Sequence, residues 1–222
     1  MIDAAIFDMD GIIFDTERLA CDVWRSVAGE AGFEMEYRLF FSCVGLNNRD
    51  TKKLVLSEMG PDFPYDQIHE RARERIKAEM DRSGPPEKPG IRTLMRFLAE
   101  REIPIALATS TSESSARWML ERAGIADFFS AFAFGSEVKK GKPAPDIFLL
   151  ARDRISGSSR LLSERIAVFE DSPAGLTAAC DAGMRAVFVP DMVEPPVEVL
   201  SRVWKQIERI DEAANSDFYA EI

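Results

Sequence analysis

The sequence predicts an α/β fold: an open, parallel-sheet, Rossmann-like core with an all-α domain inserted after its first strand. Three observations predict it. Short apolar runs of strand length recur along the chain, helical patterns alternate with them, and residues 16 to 82 break the alternation with helical spacing alone. The expected division is therefore a core of residues 1–15 and 83–222 and an insert of residues 16–82.

The first apolar run, residues 2–7 (IDAAIF), stops at Asp8 and reads as a buried parallel strand. Ile103–Ala108, Arg165–Phe169 and Ala186–Val189 look alike, and the run around Phe132–Phe134 is a weaker candidate. Ser110 and Glu113 form a capping box for a helix through Trp118, Leu120 and Glu121 that ends near Gly124. Ser172 and Pro173 read as the cap and first residue of another helix, which Gly183 closes. Within the insert, helical spacing relates Leu19, Val23, Trp24 and Val27, then Leu54, Val55 and Met59, then Ile68, Ala72, Ile76 and Met80. Gly84, Pro85 and Pro86 mark the return path.

Composition excludes several functions. The chain has 222 residues, 46% of them apolar, enough to bury a sizeable core. Its net charge of −10 disfavours nucleic acid and anionic membranes as partners. No apolar stretch approaches the roughly 20 residues of a membrane helix, and the N-terminus lacks the basic region of a signal peptide. Three widely spaced cysteines, Cys21, Cys43 and Cys180, argue against a disulfide framework or a zinc site and fit the cytoplasm. A single histidine, His69, leaves little room for a Ser-His-Asp triad or a polyhistidine metal centre.

In an open parallel sheet, ligands bind beyond the carboxyl ends of the strands. Asp8 and Asp10 follow the first strand, Thr109 the second, and Glu170 with Asp171 a later one. Lys142 precedes Pro143 and a helix through Ile147, Phe148 and Leu150. Singly, each has an ordinary reading as a loop, cap or solvated residue. Jointly, the carboxylates Asp8, Asp10, Glu170 and Asp171 would repel one another unless a divalent cation joined them, and oxygen-only ligands suit Mg²⁺. Asp8 is then available as a nucleophile, Thr109 and Lys142 can hold the oxygens of a phosphoryl group, and Asp10 can handle protons.

These residues carry a family resemblance. Asp8-Met9-Asp10-Gly11 with Phe14-Asp15-Thr16-Glu17 resembles the first motif of haloacid dehalogenase-type phosphatases and phosphomutases. Thr109, Gly141-Lys142-Pro143-Ala144-Pro145-Asp146, and Glu170-Asp171-Ser172-Pro173-Ala174-Gly175 resemble the remaining three. The resemblance spans nearly the whole chain. It implies an aspartyl-phosphate on Asp8, acid and base roles for Asp10, and Mg²⁺ held by Asp8, the Asp10 carbonyl and Asp171. It also implies that the helical insert is a mobile cap. Thr16, Ser110, Asn48 and Arg49 are candidates for substrate contact.

The nearest branch is that of β-phosphoglucomutase and sugar-phosphate phosphatases. The mutase has a hinge histidine four residues after the threonine, where this chain has Ala20, and in the cap loop Gly45-Leu46-Asn47-Asn48-Arg49 the arginine is displaced by one. The expectation is a phosphatase for a small phosphorylated metabolite such as a sugar phosphate, with a phosphomutase and a non-enzymatic receiver domain as alternatives. A monomer is compatible with a complete site under one cap.

Other features are ordinary. Gly135 to Lys142 imitates a P-loop, but the glycine spacing is one too long and Pro143 replaces the Ser or Thr. Arg71, Arg73, Arg75 and Lys77 alternate with Glu70, Glu74 and Glu79 as on an ion-paired helix face. Trp24 and Trp118 are expected in cores and His69 at an edge.

Overall fold

The computed structural model describes residues 2–43, 48–157 and 161–219, with only the backbone of Asn48. Two compact units emerge, Met1–Asp15 with Glu87–Ile222, and Thr16–Pro86. In chain order, β1 (Ala4–Phe7) opens the first unit. The second holds α1 (Thr16–Glu30), α2 (Tyr37–Cys43), α3 (Asn48–Met59) and α4 (Tyr65–Ser83). The chain returns to the first unit through α5 (Ile91–Ala99), β2 (Ile105–Thr109), α6 (Glu113–Ala123) and β3 (Phe129–Phe134). It continues with α7 (Asp146–Ser156), β4 (Ile166–Glu170), α8 (Pro173–Asp181), β5 (Arg185–Phe188), α9 (Val197–Leu200) and β6 (Lys205–Gln206).

The sheet has the order β3-β2-β1-β4-β5-β6, and every pairing is parallel. β1, β2 and β4 are buried at every residue, as strands covered on both faces must be. Register sets Ile6 beside Ala106 on one side and Val168 on the other. On one face Ile6, Val168 and Phe188 pack with Phe148 of α7 and Leu176 of α8. Phe7 and Phe169, partners in register, stack with centroids 4.8 Å apart. The helical unit has its own core of Val23, Trp24, Val27, Val55, Ile68 and Ala72.

Several details differ from the expectations. The helical unit extends to Pro86 rather than residue 82, because α4 continues to Ser83 and Pro85 is itself buried. β6 escaped notice because Lys205 and Gln206 make no apolar run. α2 spans only seven residues, too few to display a period. The cap of α6 is Ser112, which accepts from the Ser115 N–H, not Ser110, because Thr109 ends β2 and the turn needs the residues between. Trp118 is only half-buried. Arg71 and Arg75 pair with Glu30 of α1, Arg73 with Glu70 and Lys77 with Asp81, and His69 stacks on Tyr65. Among the described residues no helix is long and apolar enough to cross a membrane.

The stacked pair at the centre of the sheet yields a stability prediction. Phe169 is fully buried, so Phe169→Ala removes a large side chain from a close-packed interior. The expected loss is about 3–5 kcal/mol, read as a lower urea midpoint, and an unchanged midpoint would contradict this packing.

Candidate active site

β1 lies at the middle of the sheet, with β2 on one flank and β4 on the other. The chain order reverses there, so the crossovers diverge and leave a crevice at the carboxyl ends. Asp8 follows β1, Thr109 ends β2 and Glu170 ends β4. Lys142 reaches the same place from the connection between β3 and α7, through a cis Lys142–Pro143 peptide.

Lys142 Nζ donates to Asp8 Oδ1 at 2.5 Å and to Glu170 Oε1 at 2.6 Å. It also donates to the Ala108 carbonyl at 3.3 Å and lies 4.9 Å from the Phe148 ring centroid. The other oxygen of Glu170, Oε2, accepts from the Ser172 N–H at 2.8 Å and the Ser172 hydroxyl at 3.0 Å. Ser172 Oγ accepts in turn from the Gly175 N–H and caps α8. Gly175 is required here, since a Cβ would overlap the Glu170 carboxylate. Glu170 was expected among the metal ligands. One of its oxygens meets Lys142 and the other the start of α8, and the residue is 1% exposed.

The turn after β1 turns back on itself, with the Ile13 N–H donating to the Met9 carbonyl at 2.8 Å and the Gly11 N–H to the Phe14 carbonyl at 2.9 Å. Gly11 has φ +79°, and a Cβ there would run into the Asp171 carboxylate. Asp171 thus packs against the turn that bears Asp8 and Asp10. Thr111 Oγ1 donates to Asp10 Oδ2 at 2.6 Å, and the Thr111 N–H donates to Thr109 Oγ1 at 3.0 Å. Thr109 is 1% exposed, and its hydroxyl accepts this bond from within the turn. Sequence reasoning missed Thr111; a second hydroxyl two residues beyond a strand end was the available signal.

The electrostatics are dominated by burial. Desolvation pushes the Asp8 carboxyl up to about 7; Lys142 opposes this, while the charges of Glu170 and Asp10 add to it. Burial pulls the Lys142 ammonium downward, but the adjacent Asp8 and Glu170 outweigh it and hold the group above its ordinary value. Lys142 is therefore a permanent cation, and carboxylates outnumber it. Among the described residues no three His, Cys, Asp or Glu side chains are grouped as a metal cluster. Mg²⁺ needs no such cluster, since it takes one or two carboxylates and completes its octahedron with carbonyls, water and phosphate oxygens. The excess negative charge and the oxygen-only donors at Asp8 and Asp171 fit that requirement.

Ser110 is exposed, with its backbone against Gly135. Thr16 opens α1 and Arg49 is exposed on α3, both in the helical unit. Gly45, Leu46, Asn47 and the Asn48 side chain lie outside the described residues.

Comparison with known proteins bears on this geometry. Residues 5–189 match the family described as haloacid dehalogenase-like hydrolase. The chain is similar to a phosphorylated carbohydrates phosphatase of Thermotoga maritima, at 32% identity over 190 residues and 84% of each chain. It is also similar to a fructose-1-phosphate phosphatase of Escherichia coli, at 31% identity over 83% of this chain and 94% of that one. A solved structure from Thermotoga maritima, provisionally described as a β-phosphoglucomutase, superposes with TM-score 0.80 at 29% identity, covering 99% of this chain and 100% of that one. The chain belongs to the haloacid dehalogenase-like hydrolases.

The raised Asp8 carboxyl predicts a pH effect on metal-free protein. The folded state holds a proton there that the unfolded chain, with an ordinary value of 3.8, releases. The contribution of Asp8 to stability is thus greatest below about 4 and is lost as pH rises through about 7. In chelator, wild type should lose stability relative to Asp8→Asn across that window, and added Mg²⁺ should reduce the loss. Parallel melting curves for the two proteins at every pH would contradict it.

Proposed function

We propose that this phosphoric monoester hydrolase acts on a small phosphorylated metabolite, a sugar phosphate, through an aspartyl-phosphate on Asp8. One observation carries the reading: the buried Lys142, held between Asp8 and Glu170, donates to one oxygen of Asp8 at the carboxyl end of the central strand β1. The names of the phosphatase relatives support the substrate class.

In the first half-reaction Asp8 attacks phosphorus, the bond from phosphorus to the ester oxygen breaks, and Asp10 gives its proton to that departing oxygen. In the second, water attacks the phosphoryl group, Asp10 takes a proton from it, and the bond to Asp8 breaks to release phosphate. Lys142 offsets charge on Asp8 and on the phosphoryl oxygens in a site where burial strengthens the interaction. Asp8, Asp171 and the Asp10 carbonyl would hold Mg²⁺, which supplies further positive charge against the transferring group. The three cysteines are free, which fits action in a reducing cytoplasm.

A second reading, a phosphomutase, is favoured by the Thermotoga maritima structural neighbour described as a β-phosphoglucomutase. Against it, Ala20 offers no hydrogen-bonding side chain with which to delay Asp10. The decisive experiment is a screen of sugar monophosphates with Mg²⁺. Phosphate should be released stoichiometrically without a bisphosphate activator. Conversion of β-glucose 1-phosphate mainly to glucose 6-phosphate, with negligible phosphate release, would establish the mutase.

Lys142→Met should lower kcat/KM about 10²- to 10³-fold, the loss typical of removing a group aimed at transition-state charge. Lys52→Met, which breaks an exposed ion pair with Asp66, should change it by no more than about twofold. Equal small losses in the two variants would remove Lys142 from the mechanism.

A further inference from the structure

We infer that Thr111 is a positioning residue for Asp10, fixing one carboxylate oxygen so that the other carries the proton. The inference rests on the proton-transfer role proposed for Asp10. Its physical basis is separate from that role, in the 2.6 Å hydrogen bond from Thr111 Oγ1 to Asp10 Oδ2.

A carboxyl group that works as both acid and base must present the same oxygen to the ester in one step and to water in the next. A free carboxylate rotates and exchanges its two oxygens. A hydroxyl donor on Oδ2 removes that freedom in both protonation states, since Oδ2 accepts whether or not Oδ1 bears the proton. Proton traffic is thereby confined to Oδ1. Thr111 is itself held, because its N–H donates at 3.0 Å to the buried Thr109 hydroxyl. The hydroxyl that aims Asp10 is thus anchored at the end of β2, next to the strand that carries Asp8.

The elements involved all belong to the sheet unit. The hydrogen bond from Thr111 to Asp10 lies within that unit, in a chain whose residue 20 is an alanine without a donor. An enzyme that keeps Asp10 aimed in this way favours water as acceptor immediately after phosphoryl transfer.

The test compares Thr111→Val, Thr111→Ala, Thr111→Ser and Asp10→Asn on two substrates. p-Nitrophenyl phosphate needs little protonation, because p-nitrophenolate leaves as a stable anion. Glucose 6-phosphate or fructose 1-phosphate, whichever turns over faster, must be protonated as it leaves. Loss of the Thr111 hydroxyl should lower kcat/KM for the sugar phosphate about ten- to a hundredfold, with a much smaller loss for the aryl ester. Thr111→Ser should restore most of it. Thermal melting identifies any variant that has merely unfolded, and Thr111→Ala serves if Thr111→Val does.

Equal losses on both substrates would assign Thr111 a purely structural part and overturn the inference. So would a fully active Thr111→Val, or a Thr111→Ser as impaired as it. Asp10→Asn separates the two levels of the argument. If it is inactive while Thr111→Val is normal, only the inference fails; if it keeps full activity on the sugar phosphate, the proton-transfer reading fails with it.

Discussion

A lysine ammonium buried between two carboxylates is the constraint around which this site is arranged. Lys142 touches Asp8 and Glu170 in a place where its own side chain is 7% exposed. A cation so placed is costly unless its donors are used, and here they go to Asp8, Glu170 and a carbonyl. The arrangement works in both directions. The carboxylates keep the lysine charged, and the lysine offsets part of the burial that drives Asp8 toward protonation. The charge that remains uncompensated is what suits the proposed divalent cation and phosphoryl group.

The sheet makes that arrangement possible. Parallel strands put all their carboxyl ends on one edge, and a chain that starts at the middle of the sheet and then fills both flanks brings three strand ends together. The same topology constrains small residues. Gly175 exists as glycine because Glu170 lies where its Cβ would be, and Gly11 because the turn needs a positive φ beside Asp171. At these two glycines the turns beside Asp171 and Glu170 are closely packed, which suits a site that would present fixed charges to a transition state.

A division of labour between paired oxygens recurs. Asp8 gives one oxygen to Lys142, Glu170 gives one to Lys142 and one to Ser172, and Asp10 gives one to Thr111. In Asp8 and Asp10 this pins a carboxylate at one end. In Glu170 one oxygen meets the lysine and the other the start of α8.

The sequence by itself determined the fold class and the identity of the residues at the strand ends. Apolar runs of four to six residues that stop at Asp8, Thr109 and Glu170 locate the strands, and hydrophobic burial on both faces requires no distant information. It also carried the motifs by which the family is recognised. Where the local signal was weak, as at the polar β6, the seven-residue α2 and the true cap of α6, the pattern failed. Only the tertiary structure decided which oxygen meets which donor. Lys142 and Asp8 are 134 positions apart, and Thr111 and Asp10 are 101 apart. Nothing in local propensity relates such pairs; their contacts arise only when distant segments of the chain are brought together at the carboxyl ends of the strands.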